Sequence, residues 1–135
     1  MKHGIAALVT LVTRVTLSGV LIVGASGPVA AHHSPVMFDM TKSVTVEGTV
    51  VEFSWTNPHS SIQLDVPGAG GAMERWGVEM GSPNSMVRAG WKSTLLKPGD
   101  RVSVTVRPLK SGERGGMFVS IKLADGRVLG GRAAE

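Results

Sequence analysis

From residue 44 onward, apolar and polar positions alternate with a period of two, the mark of half-buried strands. Val44, Val46 and Val50 share one parity, with Thr45 and Glu47 on the other. Val51, Phe53 and Trp55 then take over the apolar side, with Glu52 and Ser54 opposite. The change of parity between Val50 and Val51, just after Gly48, predicts a bulge and a sharp bend in one long first strand. Ile62, Leu64 and Val66 define a second strand, and Trp76, Val78 and Met80 a third, joined by the glycine-rich PGAGGAM at 67–73. A short helix follows. Ser82 can cap it, Pro83 suits its first turn, Met86 and Val87 give it an apolar edge, and Gly90 fits just past its end. Leu96 to Asp100 (LKPGD) reads as a turn into a fourth strand with Val102, Val104 and Val106 inward. After the polar, mobile loop SGERGG at 111–116 comes a fifth strand, with Val119, Ile121 and Leu123 inward, and a last turn at Asp125-Gly126.

Five strands, the first long and bent, with one helix between the third and fourth, is the order of a small all-β, OB-like barrel. An open β-sandwich of the same strands is the alternative. In either fold Trp55, Trp76 and Val104 fall on the apolar parity and are expected in the core. Met80 and Met86 are expected as core filler. Trp91 and Phe118 are the only aromatics placed outside, or as partly covered caps on the core.

The first 43 residues do not share this pattern. Lys2, His3 and Arg14 precede the 11-residue apolar run from Val15 to Ala25 and the small-residue exit Gly27-Pro28-Val29-Ala30-Ala31. That is the layout of a secretory signal peptide, with Val29 and Ala31 at the third and first positions before a cut. The run is too short for the roughly 20 apolar residues of a membrane span, and Arg14 interrupts any longer reading. The expected organisation is a signal peptide at 1–31, an N-terminal arm at 32–42, the β domain at 43–129 and a frayed tail at 130–135. The expected location is the periplasm, with no membrane anchor after cleavage.

Cleavage changes the charge balance. The whole chain has 14 Lys and Arg against 10 Asp and Glu, for a formal charge of +4. Losing Lys2 and Arg14 leaves a charge of +2 on residues 32–135, which weakens the case for a polyanion partner. Nucleic acid is disfavoured further by the absence of tyrosine and by export. Arg101, Arg107 and Lys122 read as a solvated strand face. Without cysteine, an exported domain of this size has neither disulfides nor thiolate metal sites and depends on packing.

Motifs for enzyme chemistry are missing: there is no GxSxG, HExxH, P-loop or GxGxxG. Glu47, Glu52, Asp65 and Glu79 all alternate onto outer strand faces. The pattern points to a non-catalytic protein.

Histidine placement carries more information. Three of the four histidines survive cleavage: His32 and His33 at the new N-terminus, and His59 in WTNPH at 55–59. A terminal histidine offers its α-amine and ring Nδ1 to one metal ion as a chelate, and further imidazoles complete a nitrogen set that suits Cu(II). Binding requires deprotonation of the amine, so affinity falls in acid. Copper held by His32, His33 and His59 is one expectation, and its obstacle is reach. A strand from Val44 to Trp55 runs roughly 36–40 Å if straight, while an arm from His32 to Lys42 spans about 36 Å at most. A local site from His32 and His33 with Met37 or Met40, favouring Cu(I), is the other possible arrangement. The plain reading is that the terminal histidines are only polar residues and His59 bonds the turn formed by Asn57 and Pro58. The alternative function is a metal-free OB-type interaction module, docking a protein or saccharide partner through its barrel face and the loops at 67–73 and 111–116.

Five ordered motifs, HHS at 32–34, WTNPH at 55–59, SPxxxxRxGW from Ser82 to Trp91, LKPGD at 96–100 and LADGR at 123–127, resemble those of a family of small exported bacterial proteins of unknown function. The resemblance implies an OB-like β fold and a periplasmic home, and no activity. Pro35-Val36-Met37 departs from the more aromatic or alanine-rich segment expected after HHS, which leaves open how the arm packs.

Overall fold

The structure, a computed structural model, describes residues 35–130. The signal-peptide reading, His32, His33 and the tail beyond Gly130 lie outside the described residues. Six strands and one helix run in the order β1 (Val44–Ser54), β2 (Ser61–Pro67), β3 (Met73–Glu79), α1 (Pro83–Arg88), β4 (Arg101–Pro108), β5 (Gly115–Leu123) and β6 (Val128–Gly130). The first half of β1 pairs with β4 and its second half with β2, both antiparallel. The sheet runs β3-β2-β1-β4-β5-β6. Parallel pairing of Gly77 to Glu79 with Gly115 to Met117 joins β3 to β5. That contact closes a five-stranded OB-like barrel and excludes the open sandwich.

The bend in β1 lies where the parity changes: the β1–β2 register slips between Val50 and Glu52. Gly48 lets β2 cross close over β1, because a Cβ there would stand 2.8 Å from the Asp65 carbonyl oxygen. The interior holds Val50, Ile62, Leu64, Val78, Val104, Val106 and Ile121, each at most 1% exposed. At about 25 cal/mol per Å² of apolar surface removed from water, this set is the main source of stability in a chain without disulfides.

Three expectations change. Trp91 is fully buried at 1% exposure and Phe118 at 8%, so neither lies outside. Their rings meet edge to face, with centroids 5.3 Å apart. For Phe118 the reason is a second bulge: Thr105 pairs with Ser120 and Val106 with Phe118, so Val119 is the extra residue and Phe118 turns inward. For Trp91 it is the helix end. Gly90 takes φ +87°, and Trp91 N–H returns to the Met86 carbonyl at 3.0 Å, turning the indole under the barrel. Conversely, Trp55 and Trp76 are only half-buried against the core. Trp76 precedes the residue at which β3 gains β5 as a neighbour, so one flank of its side chain stays open.

The last two residues of the expected loop at 111–116 belong to β5. Gly115 and Gly116 are buried where strands approach closely: a Cβ on Gly115 would lie 2.5 Å from the Gly77 carbonyl oxygen, and one on Gly116 would collide with the Arg107 carbonyl. Past the Asp125-Gly126 turn, β6 adds a short sixth strand to β5, and Trp91 Nε1 donates to the Gly130 carbonyl at 3.1 Å. The helix forms as expected. Ser82 caps it, with Ser85 N–H reaching Ser82 Oγ at 3.4 Å, and Met86 is its buried contact.

Candidate functional site

His59 sits in the loop between β1 and β2, and the neighbouring chain fixes that loop from below. Ser60 N–H donates to the Gly81 carbonyl at 3.0 Å, and Met80 N–H donates to the Ser60 carbonyl at 2.9 Å. These bonds extend the β2–β3 ladder past Ser61 and Glu79 and leave Ser60 fully buried. His59 itself is exposed, and its Nδ1 lies 3.1 Å from the Met80 carbonyl oxygen. A carbonyl only accepts, so Nδ1 carries the proton and Nε2 keeps its lone pair. The Glu79 carboxylate stands 3.9 Å from the same Nδ1, too far for a hydrogen bond. A hydrogen bond to one ring nitrogen fixes the tautomer and orientation of an imidazole. The partner of His59 is therefore the end of β3, not the turn formed by Asn57 and Pro58.

Glu79 belongs to the site although alternation assigns it to a solvated face. Only the strand register, which pairs it with Ser61, brings it beside a histidine twenty residues earlier in the chain. Among the other acids on that reading, Glu47 and Glu52 are exposed, and Asp65 binds Arg75 at 2.7 Å.

The arm is anchored where it can be described. Pro35–Met37 form one 3-10 turn, Phe38 is 4% exposed and bridges Leu109, and Asp39 N–H donates to the Pro108 carbonyl at 2.8 Å. Asp39 also organises the entry to β1. It accepts from the Thr41 hydroxyl at 2.6 Å and pairs with Lys42 at 3.1 Å, which together hold its carboxyl at about 2, well below the usual range. Leu109 in turn donates to the Gly115 carbonyl at 3.2 Å, and Gly115 pairs with Gly77. Phe38, Leu109, Gly115 and Gly77 thus form one row that crosses from the arm to β3, three residues short of the Met80 carbonyl that holds His59.

Among the described residues no three His, Cys, Asp or Glu side chains group as a metal site. His59 can supply one nitrogen, while His32 and His33 lie outside the described residues. Met37 and Met40 are 40% and 50% exposed. Of the two loops in the interaction-module reading, 67–73 is a 3-10 turn at Ala69–Gly71, with Gly68 N–H donating to the Ala72 carbonyl at 2.7 Å. The loop at 111–116 is tied down, with Arg114 held to Glu74 at 2.6 Å.

A family model covers residues 18–119, from within the apolar run at 15–25 to the bulge of β5. The chain belongs to DUF6152, a family of unknown function. The matched span includes the three histidines considered above, and it ends before LADGR at 123–127. Comparison with curated proteins and with solved structures finds no match. DUF6152 membership therefore agrees with the resemblance drawn from the motifs as far as family and unknown function, and it assigns no residue a role.

Proposed function

We propose that this protein is exported, cleaved after Ala31, and binds copper in the periplasm without catalysing a reaction. The ligands are His32, with its freed α-amine, together with His33 and His59. The observation that carries this reading is the fixed tautomer of His59, an exposed imidazole whose Nδ1–H is engaged by the Met80 carbonyl beside Glu79. Such an imidazole offers Nε2 without first having to reorder, which lowers the entropic cost of binding. Copper supplies a preference for tetragonal nitrogen ligands, and the terminal amine and imidazoles provide them.

The gap to be spanned is shorter than the length of β1. Three steps across the row from Phe38 to Gly77, at about 4.8 Å each, combine with three residues along β3 to give roughly 17 Å. His33 precedes Phe38 by five residues, of which the 3-10 turn at Pro35–Met37 advances only about 2 Å per residue, so the backbone reaches about 13 Å and the imidazole side chains must span the rest. The estimate based on the full length of β1 overstated the gap, because the arm docks on the β4–β5 side, beside β3.

Two measurements test the proposal. The intact mass of exported protein should match residues 32–135, and a retained leader or a cut beyond His33 overturns it. Calorimetric titration of the processed protein with Cu(II) at neutral pH should give tight one-to-one binding. Adding one residue before His32, or replacing His59 with Ala, should each weaken it markedly. Glu79→Gln should weaken it by about tenfold, as loss of an outer-sphere partner does. Affinity should fall at about pH 5, because the terminal amine must lose its proton to bind. If His33→Ala matters and His59→Ala does not, the site is local to the arm. If none of the changes matters, the metal reading fails and the interaction module takes its place.

A further inference from the structure

The far end of the β2–β3 hairpin borders a groove of about 480 Å³, within the size range of small-ligand sites. It is lined by residues of β1, β4 and β5, with Pro67 and Met73 at the base of the β2–β3 turn. Its polar side is a ladder of charges set by register. Ser103 pairs with Glu47 on one side and with Lys122 on the other, while Arg101 pairs with Thr49. Arg101 is thus a diagonal neighbour of both Glu47 and Lys122, about 7–8 Å away. Among the described residues neither Arg101 nor Lys122 forms an ion pair, in contrast to Arg75 and Arg114 nearby. Two cations and one carboxylate leave the groove one positive charge in excess. Its apolar lining comes from Pro67, Met73 and Leu123, of which Met73 is 58% exposed and Leu123 packs partly against the core. An exposed methionine at a rim is an adaptable apolar surface, able to repack over a chain laid against it.

We infer that this groove binds an amphipathic monoanion, a straight-chain carboxylate whose head lies between Arg101 and Lys122 and whose hydrocarbon tail lies against Met73 and Leu123. The charge excess selects for the sign and number of the ligand's charge. A neutral molecule leaves both cations without a partner, and a polyanion meets Glu47. The apolar lining selects for a tail, because a small anion gains nothing from Met73. The groove lies six residues along β2 and β3 from the His59 end, about 20 Å away, so it is independent of the copper reading.

Calorimetric titration of the purified protein with sodium decanoate, kept below its micelle concentration, tests this. One decanoate should bind per chain, and 1-decanol and decyltrimethylammonium should bind at least tenfold more weakly. Arg101→Gln and Lys122→Gln, both at exposed positions, should each reduce affinity by about tenfold without changing the melting temperature. Glu47→Gln should tighten binding by removing the one repulsive charge. Met73→Ala should weaken decanoate and leave butyrate unchanged. The inference is overturned if decanoate does not bind, if decanol binds equally well, if uptake has no fixed stoichiometry, or if the Arg101→Gln, Lys122→Gln double variant binds like the wild type.

Discussion

The two ends of the β2–β3 hairpin are built differently. At the end where Ser61 pairs with Glu79, the chain is closed by backbone bonds between Ser60, Met80 and Gly81, and it rests on Met80, Met86 and Trp91, each no more than 3% exposed. At the other end a glycine turn at 68–71, with Gly70 and Gly71 at positive φ, joins the strands. Beyond it, Met73 is exposed, and ion pairs brace the hairpin: Arg75 with Asp65, and Arg114 with Glu74 through two nitrogens at 2.6 and 2.8 Å. Packing cannot be switched off by solvent, whereas exposed ion pairs are screened by salt and lost to acid. On the copper proposal, a fixed end suits a histidine that presents one nitrogen in one direction. A yielding end suits a groove that has to mould itself to a flexible chain.

The largest expected effect is at the fixed end. Trp91→Ala should cost about 3–5 kcal/mol in urea unfolding, because it empties the core beneath the barrel and frees the Gly130 carbonyl. Met73→Ala should change stability by no more than about 0.5 kcal/mol. Equal losses at the two positions would erase the distinction between the ends.

Acid should act next, and on the other end. The Arg114 guanidinium holds the Glu74 carboxyl below its ordinary value. A lowered carboxyl contributes stability that is complete above its unfolded value, near 4.3, and is lost as pH falls through the lower folded value. Backbone NMR signals of Glu74 and Arg114 should therefore shift below about pH 4 while that of Ser60 holds its position, and Glu74→Gln should remove the response at Arg114. Simultaneous movement of both ends would show that the hairpin responds as one unit.

The smallest effect belongs to Ser60, whose hydroxyl is buried with no hydrogen-bond partner among the described residues. Ser60→Ala should leave the melting temperature unchanged or raise it, by no more than about 1 kcal/mol in stability, since the hydroxyl is desolvated without return. A clear loss would mean that the hydroxyl is bonded after all and that the fixed end depends on it.

Sequence pattern revealed the architecture where a strand announced itself by alternation and failed where backbone geometry decided the outcome. The parity change at Val50 and Val51 was readable because valines stand on both sides of it. The bulge at Val119 was not, because Gly115 and Gly116 look like loop, and their role in close strand contact requires knowing which strands meet. Trp91 was misplaced for a related reason: it follows a helix end, where no periodicity says which way a side chain turns. β6 is three residues long, too short for any alternation to register. His59 stood out as a lone histidine in a turn, but its partners, the Met80 carbonyl and Glu79, come from register alone. Arg101, Lys122 and Glu47 were each legible as exposed, while their convergence on one groove depends on three strands pairing in a particular order.

The way β5 is shared has a mechanical consequence. One edge of β5 is bonded to β4, and the other is divided between β3 at its start and β6 at its end. A pull on the C-terminus therefore meets three residue pairs and the Trp91 bond first, while the β3–β5 seam that closes the barrel carries none of the tension. Stretched from that end, the molecule should yield in two steps: a small release as the sixth strand peels away, then the rupture of a barrel that was still whole.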